Sequence, residues 1–125
     1  MTEEKTEKIL YMCTCGETRS EIAHIPFVLA NAALAMDIEA KIILQGDGVN
    51  IAKKGYVDTM PPGGGFPPMK ELLASFLELG GILWVCGPCI TYRNIEESDL
   101  IEQSEITAGG SVNLAAIESD AVFVF

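Results

Sequence analysis

The sequence predicts an α/β domain of three layers, built on a doubly wound, mainly parallel sheet of about five strands. Strand and helix patterns alternate along the whole chain of 125 residues, and this alternation is typical of parallel sheets covered by helices on both faces. The predicted strands are short apolar runs, as expected of strands buried on both faces. The length suits one domain, so we predict a single domain over residues 1–125.

The first strand and helix are indicated by two different periodicities. A short apolar run predicts a strand at 8–12, and apolar residues at helical spacing predict a helix that ends near Met36. Pro26 leaves the start of this helix open. Either the helix begins near His24, with Pro26 in its first turn, or it begins near Ser20 and bends at Pro26.

A second strand is predicted at 40–45, closed by a turn at Gly46-Asp47-Gly48 and followed by one or two helical turns at 49–54. Residues 55–68 then contain four prolines and four glycines in fourteen positions. This composition predicts a long loop. Long loops in small domains are often lids or interface arms, and a solvated connector without function is the alternative.

The second half of the chain continues the alternation. Two prolines precede its first helix and two glycines follow it, which is the expected punctuation of a helix. The predicted elements are a helix at 69–77, a strand at 82–85, a helical turn at 86–94, a short helix at 99–101, a strand at 104–107, a helix at 112–117 and a buried strand at 121–125.

Charge and hydropathy limit the partners of this chain. The formal net charge is −10, from 18 acidic and 8 basic residues, so the overall field disfavours nucleic acid and anionic membranes. No apolar run approaches the roughly 20 residues that span a bilayer. The polar tail at 1–7 lacks the apolar core of a secretion signal, so we expect a cytoplasmic protein. A hydrophobic content of 49% predicts a homo-oligomer in which a second subunit covers apolar surface.

Cys86 and Cys89 mark the strongest candidate site. They follow the strand at 82–85 in a Cys-Gly-Pro-Cys sequence, where Pro88 suits the first turn of a helix. Unpaired N–H groups and the helix dipole place partial positive charge at a helix start. We therefore predict that the pKa of Cys86 is lowered and that Cys86 is a reactive thiolate.

A second pair, Cys13 and Cys15, follows the first strand. Parallel strands deliver their C-terminal ends to one edge of a sheet, and ligands bind there at the point where the strand order reverses. If the strand order is flavodoxin-like, the two cysteine-bearing strands are neighbours. The two pairs then face each other across one crevice.

Three interpretations of the four thiols remain open. Cys86 could act as a sulfur carrier or thiol relay, with Cys89 as a resolving thiol and Cys13 and Cys15 as auxiliary thiols. The four thiolates could instead hold zinc or an iron–sulfur cluster. In the third interpretation the cysteines are simply small residues that tolerate burial. Without a metal site, we expect no cofactor.

Two further residues are assigned mainly to packing. His24, the only histidine, could assist a thiol, although a single histidine on an apolar helix face is more often packed. Trp84, within a predicted buried strand, is expected in the core. No glycine pattern of a nucleotide-binding site is present.

The whole chain resembles the DsrE/DsrF-like family of small sulfur-relay proteins, of the DsrE and TusD type. The resemblance rests on the opening strand, the Ala-Met-Asp-Ile-Glu-Ala helix end before the second strand, the Gly80-Gly81 turn and, above all, Cys-Gly-Pro-Cys-Ile-Thr-Tyr-Arg-Asn-Ile from Cys86. It implies a flavodoxin-like fold and a persulfide carried by Cys86, with Arg93 and Asn94 at the end of the following helix.

The resemblance also implies homo- or hetero-oligomers, often trimers or hexamers, and a possible second sulfur-relay protein as partner. Cys89 and the Cys13-Thr14-Cys15 pair depart from the simplest members of the family. They leave open whether this chain passes sulfur, performs dithiol redox chemistry or holds a metal.

Overall fold

The computed structural model describes residues 5–125, so the first four residues of the predicted polar tail lie outside it. Five parallel strands and four α-helices alternate along the chain, which confirms the predicted fold class. In order they are β1 (Lys8–Cys13), α1 (Ser20–Ala35), β2 (Glu39–Leu44), α2 (Met69–Glu78), β3 (Ile82–Cys86), α3 (Gly87–Tyr92), β4 (Ser104–Thr107), α4 (Gly109–Glu118) and β5 (Ala121–Val124). Short 3-10 turns occur at Glu17–Arg19, Gly46–Ala52, Tyr56–Asp58 and Glu97–Asp99. No helix in this part of the chain is long and apolar enough to cross a bilayer.

The strand order is β4-β3-β2-β1-β5. The chain winds from β1 through β2 and β3 to β4, and then returns to place β5 on the other side of β1. The prediction that β1 and β3 are neighbours is therefore wrong, because β2 lies between them. Crossovers between parallel strands are right-handed, so the face of the sheet on which the helix lies determines whether the next strand is added to the left or to the right of the previous one.

The core has two parts, one on each face of the sheet. The larger part lies under α1 and α2, where the Phe27 and Phe76 rings meet edge to face with centroids 5.8 Å apart. Full burial of such a ring contributes about 1.5–3 kcal/mol. The smaller part lies under α4 and contains Leu10, Ile43 and Ala115.

Helix α1 begins at Ser20 and continues through Pro26, which selects the second of the two predicted starts. Proline has no N–H to donate to the preceding turn, so tertiary packing must hold the helix together there. Pro26 is buried in the core. Farther along the helix, the Asn31 side chain donates to the carbonyls of Phe27 and Leu72 at 2.9 and 3.0 Å, which ties α1 to α2.

The loop at 55–68 packs against the start of α1. Ser20 Oγ donates to the Pro61 carbonyl at 2.6 Å. Gly63 lies directly on the imidazole of His24, so that a Cβ there would be 2.3 Å from the ring. His24 is fully buried and its Nδ1 lies 2.7 Å from the Ser20 carbonyl oxygen. His24 is therefore a packed side chain between helix and loop.

Trp84 lies at the margin of the smaller part of the core and is less buried than predicted. It is only partly buried, the Lys41 ammonium group lies 3.8 Å from the ring centroid, and the indole N–H donates to Glu105 at 3.1 Å. Helix α4 covers Leu10 and Ile43 on β1 and β2 and leaves much of β3 uncovered. The side chains of Lys41 and Glu105, rather than a helix, contact this ring.

The final strand is also more exposed than predicted. β5 pairs with β1 alone, so it is an edge strand. Val122, Phe123 and Val124 are all exposed. A short apolar run gives the same signal in a central strand and in an edge strand, which is why the sequence did not distinguish them.

Candidate functional site

Cys86 and Cys89 lie together where β3 ends and α3 begins. Cys86 is the last residue of β3, and Pro88 lies in the first turn of α3, as the sequence predicts. Both thiols are free and partly exposed, and their Sγ atoms are 2.6 Å apart. The pair is thus within reach of a disulfide, whose S–S bond is about 2.05 Å long.

The segment after β2 holds Cys89 in place. The Gly46 N–H donates to Cys89 Sγ at 3.4 Å. Asp47 accepts a hydrogen bond from Arg93 at 2.8 Å, and Arg93 also donates to the Cys89 carbonyl at 3.2 Å. Gly46 has a positive φ of 53°, a conformation that glycine adopts readily. The thiol pair therefore rests on both the β2 segment and the end of α3.

The environment raises the pKa of Cys86, contrary to the prediction that it is lowered. Burial is the largest cause, and the adjacent Cys89 thiol adds to it. The Cys89 N–H and the Arg93 guanidinium act in the opposite direction without reversing the shift. Helix α3 has only six residues, so few aligned peptide dipoles stand behind Cys86. The thiolate fraction of Cys86 at neutral pH is therefore small.

Cys13 and Cys15 are core residues. Cys13 has no exposed surface, its thiol donates to the Cys15 carbonyl at 3.5 Å, and burial raises its pKa to about 12. Cys15 is 6% exposed, with its sulfur 3.9 Å from Thr14 Oγ1. A thiol without solvent access reacts slowly with reagents in solution.

The four thiols share one edge of the sheet, because all five strands are parallel. However, β2 and the segment Gly46–Gly48 lie between the two pairs. Gly46 contacts Cys89, and Gly48 lies against the backbone of Cys13, where a Cβ would be 2.3 Å from the carbonyl oxygen. Across residues 5–125, no group of three or more cysteine, histidine or acidic side chains is arranged to hold a metal ion. The alternative four-thiolate metal site is thus not formed within the chain.

A small cleft opens beside Asp47 at the same edge. Its volume is about 180 Å³, below the roughly 300–1,000 Å³ of ordinary ligand pockets. The Tyr56 hydroxyl accepts a hydrogen bond from the Glu17 N–H at 2.8 Å on its wall. The cleft is lined by Gly16, Glu17, Thr18, Asp47, Asn50, Lys53 and Tyr56.

The sequence predicted the segment at 46–48 only as a turn. Its contact with Cys89 and the Asp47–Arg93 ion pair were missed. The available signal was its position. In a parallel sheet, glycines directly after one strand lie beside the cysteines that end its neighbour.

The model of the DsrE/DsrF-like family matches residues 7–125. The chain is 35% identical over 105 residues to the uncharacterized protein MJ0989 of Methanocaldococcus jannaschii, covering 84% of this chain and 88% of that protein. It is 34% identical over 124 residues to the uncharacterized protein MK0008 of Methanopyrus kandleri, covering 99% and 98% of the two. A third relative, the uncharacterized protein MJ0760 of Methanocaldococcus jannaschii, is 31% identical, and the match spans 82% of this chain and 37% of that protein.

Two solved structures share the fold. The crystal structure of the ychN protein from E. coli matches with a TM-score of 0.80 and 21% identity, over 96% of this chain and all of that one. The protein of unknown function MTH1491 from Methanobacterium thermoautotrophicum matches with a TM-score of 0.68 and 11% identity, over 97% of this chain and all of that one. Since the family model covers nearly the whole sequence, this chain belongs to the DsrE/DsrF-like family.

Proposed function

We propose that this protein is a persulfide sulfur carrier of the sulfurtransferase type, with Cys86 as the nucleophile. The observation that carries the proposal is the position of Cys86, which is partly exposed at the end of β3 with a second thiol 2.6 Å away. Membership of the DsrE/DsrF-like family supports a role in sulfur relay. Cys13 and Cys15, predicted as auxiliary thiols, take no part in this step because both are buried.

The chemistry is an exchange between sulfur atoms. The Cys86 thiolate attacks the outer sulfur of a donor persulfide, a new S–S bond forms at Cys86, and the donor leaves as a thiolate. A thiolate of an acceptor, such as another sulfur-relay protein, then removes the outer sulfur in the same way. Both steps conserve the oxidation state of the transferred sulfur. A cytoplasmic location belongs to this proposal, because a reducing compartment keeps thiols free.

Sulfur loading tests this function. Reduced Cys89→Ser protein, kept free of oxygen, is treated with glutathione persulfide and then analysed by peptide mass spectrometry. We expect a gain of one sulfur on Cys86, faster as the pH rises above neutrality because the pKa of Cys86 is raised. The Cys86→Ser/Cys89→Ser protein, which also lacks the exposed Cys89 thiol, should gain at least about 100-fold less, since the hydroxyl is a far weaker nucleophile than a thiolate.

Two outcomes would contradict the proposal. Absence of added sulfur on Cys86 in folded Cys89→Ser protein would favour a non-catalytic module of the same fold. Equal sulfur uptake by the Cys86→Ser/Cys89→Ser protein would assign the chemistry to another residue. Circular dichroism of each variant verifies that the fold is retained.

We further propose that the chain forms a homo-oligomer, a trimer or a hexamer, through the surface made by α4 and β5. Leu114 and Ile117 on α4 are 60% and 79% exposed, and Val122 and Val124 on the adjoining strand are also exposed. A second copy is the occupant that this surface favours. Its exposed side chains Leu114, Ile117, Val122 and Val124 are uncharged, and association between copies with a net charge of −10 requires apolar contact to offset repulsion.

Replacement of Ile117 by Asp should dissociate the oligomer. A buried carboxylate without a partner costs several kcal/mol, so light scattering should report the monomer mass. Met36→Asp is the matched control, because Met36 is 67% exposed at the end of α1, which packs on the opposite face of the sheet from α4, and should leave the mass unchanged. A monomeric wild-type protein would refute this interface.

A further inference from the structure

We propose that Cys89 resolves the Cys86 persulfide within the chain, releasing sulfide and leaving a Cys86–Cys89 disulfide. The inference rests on the proposed persulfide at Cys86 and names a second product of the same site. An acceptor thiolate that reaches the persulfide before Cys89 attacks takes the sulfane sulfur. Otherwise the site reduces that sulfur to sulfide.

The positions of the two sulfur atoms carry this inference. When Cys86 bears an outer sulfur, its own Sγ becomes the inner sulfur of the persulfide, and Cys89 Sγ lies 2.6 Å from it. The attacking and attacked atoms are thus already adjacent. A reaction within one chain, with its atoms in place, has an effective concentration far above that of any free thiol.

Cys89 is also fixed in this position by its surroundings. The Gly46 N–H bonds to its sulfur, and Arg93 bonds to its carbonyl oxygen while paired with Asp47. These contacts come from the segment after β2 and from the end of α3, two parts of the chain that do not depend on the Cys86 side chain. Cys89 therefore does not need to reorganise before it attacks.

Cys13 and Cys15 cannot compete with Cys89 for the Cys86 persulfide, because both are buried. Cys13 is fully buried and bonded to the Cys15 carbonyl, and the Gly46–Gly48 segment lies between that pair and Cys89. Within the part of the chain that the structure describes, Cys89 is the only other free thiol that shares solvent exposure with Cys86.

The reaction balances without an external oxidant. The Cys89 thiolate attacks Cys86 Sγ, the bond between the two cysteine sulfurs forms, and the bond from Cys86 Sγ to the outer sulfur breaks. The outer sulfur leaves as hydrosulfide with the electron pair of that bond. It is reduced by two electrons while the two cysteines are oxidised by two. A low-molecular-weight dithiol is the class of reductant that would restore the thiols.

The test compares three proteins under exclusion of oxygen. Reduced wild type, Cys89→Ser and Cys86→Ser are treated with glutathione persulfide, and the sulfide released is measured together with the mass of each cysteine peptide. The Cys86→Ser signal gives the background from the donor together with any reaction of Cys89 alone. For wild type we expect about one equivalent of sulfide per chain and a Cys86–Cys89 disulfide, and for Cys89→Ser at least about tenfold less sulfide with the added sulfur retained on Cys86.

The outcomes separate this inference from the proposed function. If wild-type protein keeps its added sulfur, or if wild type and Cys89→Ser release equal amounts of sulfide, Cys89 is not the resolving thiol, and the proposed persulfide function still stands. A disulfide between other cysteines would also overturn the resolving role of Cys89. If Cys89→Ser takes up no sulfur, the persulfide function itself fails and this inference falls with it. Cys89→Ala serves as the second variant if the serine variant does not fold.

Discussion

Between about pH 9 and pH 12, the wild-type protein should lose about 3 kcal/mol more unfolding free energy than its Cys13→Ala variant does. Burial raises the pKa of Cys13 from its ordinary 9.0 to about 12. Over this range the unfolded chain has lost the thiol proton and the folded chain retains it. The stabilisation is thus complete below the unfolded pKa and disappears as the pH rises through the folded one.

Denaturant unfolding with a reductant present, repeated across this pH range, measures the difference. Burial also raises the pKa of Tyr11 and Tyr56, but both proteins share those residues, so the comparison isolates Cys13. Val85→Ala, which shortens another fully buried side chain without removing a titratable group, should keep the wild-type slope. If the unfolding free energies of wild type and Cys13→Ala changed equally with pH, Cys13 would ionise as readily in the folded state as in the unfolded chain.

Replacement of Gly48 by Ala should destabilise the protein by about 3 kcal/mol or more, the upper part of the range for overpacked sites. The new Cβ would lie 2.3 Å from the Cys13 carbonyl oxygen and 3.0 Å from its carbon. Both are backbone atoms of β1, which is paired on two sides, so neither can move aside cheaply. The loss should appear as a lower denaturant midpoint.

Gly65→Ala provides the matched control for this substitution. A Cβ on Gly65 meets no atom within 4 Å, so the change should be neutral or stabilise by up to about 1 kcal/mol through the unfolded chain. If the two variants had equal free energies of unfolding, the backbone of the segment after β2 would have to shift at little cost to accommodate the new Cβ. In that case the support that Gly46 gives to Cys89 would also be weak.

The succession of elements was predictable because each leaves a local periodicity in the sequence. The helix from Met69 and the strand from Ile82 are bounded by prolines and glycines, and the structure places both as predicted. The start of α1 was not predictable. Pro26 disfavours a helix interior locally, and only the packing of α1 against the sheet and α2 outweighs that cost.

Strand order and burial depend on contacts distant in sequence. The predicted neighbours β1 and β3 are separated by β2, since the side on which a strand is added depends on the face that its helix covers. The exposure of Trp84 and of β5 follows from the same strand order. On the face where Trp84 lies, α4 packs over Leu10 and Ile43 and leaves Trp84 at the margin, and β5 becomes an edge strand.

The candidate site was partly predictable, because the spacing of Cys86 and Cys89 is a local feature of the sequence. The Cys-Gly-Pro-Cys spacing placed Cys86 and Cys89 at the end of a strand, where the structure has them. The pKa of Cys86 was predicted in the wrong direction, because burial and a neighbouring thiol outweigh a helix of six residues. The Cys-Gly-Pro-Cys spacing indicates the neighbouring thiol, but the burial of Cys86 cannot be read from the local sequence.

The burial of one cysteine pair beside the exposure of the other gives this chain two populations of sulfur with separate fates. Oxidants, electrophiles and sulfur donors should mark Cys86 and Cys89 while the two core sulfurs stay unmodified. The native thiol titre of a sample, compared with its titre after unfolding, would therefore report what fraction of Cys86 and Cys89 is oxidised or modified, with the core pair as an internal standard for protein concentration.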